Sequence, residues 1–294
     1  MRRTSIARTA IRRTTLSRTA AVRTADSGAS EDAFVRFRDA FTGSTLHPRW
    51  SVYKPASLAS TTVSDGRLRI EPEQGGSGAT GSFWYSSSNG AIGSAQHDGG
   101  LVYQTLGPSV GTPVAFDVRA RVRVFAADGT SQVPETVGEW RFGGLAVHHP
   151  TRSSYFRYLH MALGSEGGAG VSGLECKVNR VNATGGASVF PVANLVGNLE
   201  RDLRIVRRAT DTDLFDLFDR AVSGALSSND GWTRRYTIRW TDGADGDDDF
   251  DACPQETDAA LPDDVHVGLM AYSNAEVHDV LTDCLEFWAG ETTL

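Results

Sequence analysis

The stretch Phe116-Asp117-Val118-Arg119-Ala120-Arg121-Val122-Arg123-Val124 alternates between apolar and polar residues without a break. Successive side chains of a β-strand point to opposite faces, so Phe116, Val118, Ala120, Val122 and Val124 share one face and Arg119, Arg121 and Arg123 the other. Such a strand belongs to a sheet with one face on a core and the other wet or polar. Outward from it the same pattern recurs in short apolar and β-branched runs, separated by Gly, Asp, Asn, Ser and Pro. Strands are predicted near 34–41, 62–63, 68–70, 83–85, 101–104, 114–125, 139–148, 155–161, 173–181, 203–208, 214–218, 234–241, 265–272 and 280–287. No long amphipathic helix is evident. An all-β, two-sheet antiparallel sandwich over residues 31–294 follows, since no linker interrupts the middle of the chain. The Gly-rich run 75–81 has linker composition, but comes too early to separate two domains and reads as a loop.

With 294 residues, of which 40% are hydrophobic and 22% charged, the chain can bury a sizeable core. No window approaches the roughly 18 apolar residues of a spanning helix, and a secretory apolar core is not visible, so membrane insertion is not expected. Cys176, Cys253 and Cys284 are too few and too odd in number for a disulfide framework. Of the 29 basic residues only Lys54 and Lys177 are lysines, a skew that reads as the mark of a GC-rich genome. The net charge of −7 hides an asymmetry: residues 1–25 carry seven Arg and no acid, leaving 22 basic against 36 acidic residues beyond them.

That basic arm, residues 1–30, repeats every five residues: Arg3-Thr4, Arg8-Thr9, Arg13-Thr14, Arg18-Thr19 and Arg23-Thr24, with Ile6, Ile11, Leu16 and Ala21 three places after the first four Arg. A step of five gathers these apolar residues on one side of neither a helix nor a strand. The arm is therefore expected to order only along a partner that supplies pockets and acidic groups. A transit peptide, a nucleic-acid-binding arm and a solvated tail are the competing readings. Charge alone needs no regular Ile/Leu spacing, so a protein surface, including a second acidic copy of this chain in a homo-oligomer, is favoured over nucleic acid.

The ordered phrases of the body carry a family resemblance. Asp39-Ala40-Phe41-Thr42-Gly43-Ser44-Thr45-Leu46-His47-Pro48-Arg49-Trp50 resembles the opening of concanavalin A-like lectin/glucanase sandwiches, and Val63 to Ile70 resembles their next hairpin. Phe83-Trp84, Gly99 to Gln104, Phe116 to Val118, Gly143 to Val147, Asp202 to Arg208, Gly231-Trp232 and Val265 to Tyr272 follow in the order of glycosidase-associated jelly-roll modules. The resemblance covers roughly residues 36–290 and implies a concanavalin A-like jelly roll with carbohydrate binding as its associated activity. The same phrases have plain structural readings: Asp65-Gly66 suits a tight hairpin turn, Gly143-Gly144 close sheet packing, and Trp50, Trp240 and Trp288 the ends of a sandwich core.

Hydrolytic members of that fold carry closely alternating carboxylates on one strand. Here Glu139, Glu175 and Glu286 each stand alone, whereas glycoside hydrolysis needs two carboxyls about 5–10 Å apart. The chain is accordingly expected not to be an enzyme, a glycoside hydrolase being the enzymatic alternative. Trp84, Tyr85, Tyr155, Arg157 and Tyr158 offer the aromatic faces and the Arg donor with which lectins hold sugars. Asp245, Asp247, Asp249 and Glu256 fall at positions 1, 3, 5 and 12 of a calcium loop, although Phe250 stands where Gly is required and Pro254 interrupts the second half. No other cofactor is expected, because the nucleotide, phosphate and paired-cysteine motifs are missing. His97, His148, His149 and His160 follow no ligand template.

A glycan-binding-type sandwich, no visible secretion signal and a docking arm are together the attributes expected of a bacteriophage virion protein, either tail-associated or capsid-decorating. Such a protein would meet other virion proteins through the arm and host cell-surface glycans through the sandwich. An exported carbohydrate-binding module or glycosidase, and a capsid protein with its arm on nucleic acid, are the alternatives.

Overall fold

A computed structural model describes residues 35–53, 58–72, 99–131, 133, 140–150, 158–166, 171–179, 187–193, 195, 199–240, 249–250, 261–273 and 280–292. The strands are β1 (Val35–Asp39), β2 (Ser51–Tyr53), β3 (Leu58–Ser64), β4 (Arg67–Pro72), β5 (Gly99–Leu106), β6 (Phe116–Ala126), β7 (Trp140–His148) and β8 (Tyr158–Glu166). They continue with β9 (Val171–Asn179), β10 (Ala187–Ala193), β11 (Leu199–Arg207), β12 (Leu214–Arg220), β13 (Thr233–Arg239), β14 (Val265–Ser273) and β15 (Val280–Gly290). All pairings are antiparallel. The first sheet runs β13-β12-β11-β6-β15-β4-β3, with β1 also on β15; the second runs β10-β9-β8-β7-β14-β5-β2. This is the expected all-β, two-sheet sandwich. The basic arm and the predicted strand at 83–85 lie outside the described residues.

Between the sheets lies one core, to which the apolar face of β6 contributes Val118, Ala120, Val122 and Val124, all fully buried. Leu145, Leu159, Leu174, Val267 and Leu269 answer from the second sheet. The hairpin between β3 and β4 turns at Asp65 and Gly66, with φ of 52° and 71°, the two left-handed positions of a two-residue loop. Asp39 braces the opening phrase: it accepts from the Phe41 amide at 2.7 Å and from the Trp50 indole at 2.9 Å, setting Trp50 against Phe287 in the core. Trp50 and Trp240 are core residues as expected, but Trp288 is not: the pleat turns it to the outer face of the first sheet, under the Arg119 guanidinium at 4.4 Å. Gly143 marks a close approach of the two sheets. A Cβ there would lie 2.0 Å from Thr282 Oγ1 of the opposite sheet.

The second face of β6 is polar, as expected, and at Arg119 it is also buried. Each carboxylate in this part of the outer face meets guanidinium groups from its own strand or from its neighbours in the sheet. Arg119 and Arg204 reach Asp117 at 2.8 and 2.7 Å, and Arg121 and Arg220 reach Asp202 at 2.7 and 2.9 Å. Arg69, with Arg67 and Arg123 further off, holds Asp283, and Arg208 holds Asp216. The segment after β12 folds over this lattice. Carbonyls of Ala225, Ser228 and Asp230 accept from Arg220, those of Leu226, Ser227 and Ser228 accept from Arg119, and the Trp232 ring lies 4.3 Å from the Arg220 guanidinium.

Burial sets the cost of changing these residues. Removing one partner of a buried pair strands the other charge, so Asp202→Asn should destabilise the fold by about 3–5 kcal/mol. Arg38→Ala, which breaks an ion pair whose arginine is 62% exposed, should change stability by about 0–1 kcal/mol. Gly143→Ala should destabilise by about 1–3 kcal/mol through overpacking, and Thr282→Ala in the same chain should recover part of that loss. Urea unfolding midpoints of the variants check all three.

Candidate functional site

The outer face of the second sheet differs in kind from that lattice. Cross-strand register sets Tyr103, Gly268, Ala146, His160 and Lys177 in one row across β5, β14, β7, β8 and β9. The adjacent row holds Leu101, Met270, Gly144, Ala162 and Glu175. The middle of the face is therefore floored by glycine and alanine, and the large side chains stand around it. Tyr103 and His266 on one margin, and Lys177, Ser188 and Phe190 on the other, are partly or fully exposed, whereas the middle is buried. Toward one end the face is apolar, with Leu101, Phe142, Met270 and Tyr272 in contact.

The opposite end is polar. His160, fully buried, meets Glu175 through Nε2 at 2.8 Å, and the Ser188 hydroxyl donates to the other oxygen of Glu175 at 2.5 Å. Burial alone would raise the Glu175 carboxyl; the Lys177 and His160 charges and the hydrogen bonds from His160 and Ser188 outweigh it and bring it to about 2. Glu175 is therefore an ionised acceptor, and His160 Nε2 donates to it. Nδ1 of His160 and Nδ1 of His266 are buried with no hydrogen-bond partner among the described residues. The His160 ring stacks on Tyr158 at 5.6 Å, and the His266 ring lies 4.0 Å from Tyr103 and 5.9 Å from His148.

Of the residues expected to hold sugar, Tyr158 stands in β8 on this face, stacked on His160. Trp84, Tyr85, Tyr155 and Arg157 lie outside the described residues. Of the calcium loop, Asp245, Asp247 and Glu256 lie outside them as well; the Asp249 carboxylate accepts from the Thr237 amide at 2.7 Å, and Phe250 packs on Tyr236. The arm positions Arg3, Ile6, Arg8, Ile11, Arg13, Leu16, Arg18 and Arg23 lie outside them too. Among the described residues no group of three or more His, Cys, Asp or Glu is arranged to hold a metal ion. Sequence reading missed Tyr103, Lys177, Ser188 and His266, and missed that His160 and Glu175 meet. Alternation along β8 and β9 put both residues on one face; their pairing needed the register.

Comparison with solved structures places the architecture. A mutant of the GH43 protein BlXynB from Bacillus licheniformis superposes with a TM-score of 0.51 at 14% identity, over 87% of this chain and 39% of that one. The fold is the concanavalin A-like sandwich. This chain thus spans about two-fifths of that GH43 protein. Lectin II from Ulex europaeus matches over 86% of this chain and 97% of its own at 12% identity and a TM-score of 0.47. A legume lectin-like domain from Entamoeba histolytica does so over 83% and 90%, at 9% identity and 0.43. No protein-family model matches this concanavalin A-like chain, and neither does any curated protein.

Burial also sets a pH dependence. It holds the His266 imidazole down at about 4, with His149 adding to the effect, and holds that of His148 well below the ordinary value, with His266 and His149 adding. Both groups bind protons more weakly folded than unfolded. Their contribution to stability is therefore complete above about pH 6.5 and is lost as the pH falls below it toward the folded values. The urea midpoint should fall between pH 7.5 and pH 5, above the range where carboxylates titrate, and His266→Phe should lessen the fall.

Proposed function

We propose that the protein is a carbohydrate-binding sandwich that holds a glycan chain across the outer face of its second sheet without cleaving it. One observation carries this reading: a floor of Gly268, Ala146, Gly144 and Ala162 between partly exposed margins that bear Tyr103 and His266 on one side and Lys177, Ser188 and Phe190 on the other. A mainly apolar lining with a few fixed polar groups at its edge is how ligand sites gain orientation. From β5 to β10 the face crosses five strand spacings of about 4.8 Å, about 24 Å in all, room for a chain of several sugar rings.

Binding without cleavage is supported by the carboxylate inventory. On this face Glu175 is the single carboxylate among the described side chains, and it is ionised and occupied by His160 and Ser188. Glycoside hydrolysis requires a second carboxyl within about 10 Å. The finer reading, in which the arm of residues 1–30 docks the sandwich onto an assembly such as a virion that meets cell-surface glycans, rests on the Arg-Thr pentads of the sequence.

The full chain applied to an array of oligosaccharides should retain a defined subset, unchanged in length after overnight incubation. Tyr103→Ala, at the open margin, should weaken binding at least tenfold with an unaltered circular dichroism spectrum. An array with no retained glycan overturns the reading, and shortened products replace it with a hydrolase.

A further inference from the structure

An open sheet edge is a row of backbone N–H and C=O groups, and natural sheets blunt such edges with charge, proline, bulges or shortness. Among the described residues five strands are edges: β1, β3 and β13 of the first sheet, and β2 and β10 of the second. Four of them carry such a device. β1 bears the exposed Arg38 among its five residues, β2 is three residues long, and β10 has Pro191 at a break in its register with β9. β13 holds Arg234, Arg235 and Arg239. Asp249 also fills its outward positions at Thr237, accepting from that amide at 2.7 Å and donating its own N–H to that carbonyl at 2.9 Å.

β3 has no such protection. Leu58-Ala59-Ser60-Thr61-Thr62-Val63-Ser64 is seven residues long, uncharged and free of proline, and three consecutive β-branched residues favour its extended form. Its one irregularity falls between Leu58 and Ser60, so residues 60–64 run in unbroken register with β4. Val63 is buried in the core and anchors the strand, whereas Thr62 and Ser64 are exposed.

We propose that β3 is a docking edge for the β3 strand of a second copy of this chain, the two pairing antiparallel about a two-fold axis so that two first sheets continue as one. A row of outward N–H and C=O groups is matched by another extended backbone, and seven residues from each copy supply about six hydrogen bonds. A two-fold contact needs a surface complementary to itself. β3 meets that condition: without charge it sets no like charges opposite one another, and its Ser and Thr side chains meet Ser and Thr, a favourable cross-strand pairing. An arginine-rich segment such as residues 1–25 is the poorer occupant, because β3 offers it no carboxylate.

Sedimentation velocity of the full chain over a range of concentrations reads the association. A dimer is expected, and because each copy carries a net charge of −7, its affinity should rise severalfold as added salt screens the repulsion. Thr62→Lys sets two lysines near one another across the axis without touching the core. It should weaken dimerisation at least tenfold and leave the urea midpoint unchanged, while Thr233→Lys on the protected β13 edge should alter neither. Hydrogen–deuterium exchange locates the contact: amides within residues 60–64 should exchange more slowly at high concentration than at low, in the native chain and not in Thr62→Lys. A chain that stays monomeric throughout overturns the proposal, as does a dimer that Thr62→Lys leaves intact. The proposal stands apart from the carbohydrate-binding reading, and the Thr62→Lys monomer should retain the same glycans as the native chain.

Discussion

The Asp202 carboxylate, fully withdrawn from water and held between Arg121 and Arg220, is the constraint around which the first sheet is organised. β6, β11 and β12 must lie in one register for both guanidinium groups to reach it. The same register brings Arg204 to Asp117, which Arg119 reaches from two residues along β6 itself. A buried carboxylate with one arginine would be tolerated poorly; with two, and with loop carbonyls satisfying the remaining N–H groups, the lattice closes. It also gives the arginine skew of the chain a structural use. Only a planar fork can meet a carboxylate with two bonds and still offer N–H groups to carbonyls above it, and a lysine in place of Arg119 or Arg220 would leave several acceptors bare.

The consequence for function lies in the contrast between the two outer faces. On the first sheet the arginines are spent on aspartates, carbonyls and the Trp232 and Trp288 rings, and the segment around Leu226 seals the middle. On the second sheet the middle is glycine and alanine, and the larger polar and aromatic side chains stand at its margins. The first face is a scaffold closed over its middle, the second has exposed margins on two sides, and Gly143 against Thr282 ties the two together through the core.

Much of the fold was legible because its signals are local. The alternation of β6 and the Asp65-Gly66 turn each depend on a few adjacent residues, and the strands predicted around them stand where alternation put them. The two strands that escaped notice, β2 and β10, are the edges of the second sheet: one is three residues long, and the other carries Pro191, which argues against a central strand. The burial of Arg119 was illegible because it depends on a loop that returns from more than a hundred residues away. The site was harder still. Tyr158 was found for its ring, and Glu175 was noticed only as a solitary carboxylate. That His160 and Glu175 face one another across β8 and β9, and that one nitrogen is left over, are properties of register and burial that composition does not encode.

Whether ligand is held on the outer face of the second sheet or on the lattice of the first is read from a chemical-shift map of the nitrogen-15-labelled chain, titrated with an oligosaccharide it retains. Perturbed amides should gather at Gly144, Ala146, Ala162 and Gly268, with the arginine side-chain signals of the first sheet unmoved. Perturbations gathered on β6, β11 and β12, or on the arm alone, would contradict a site on the second sheet.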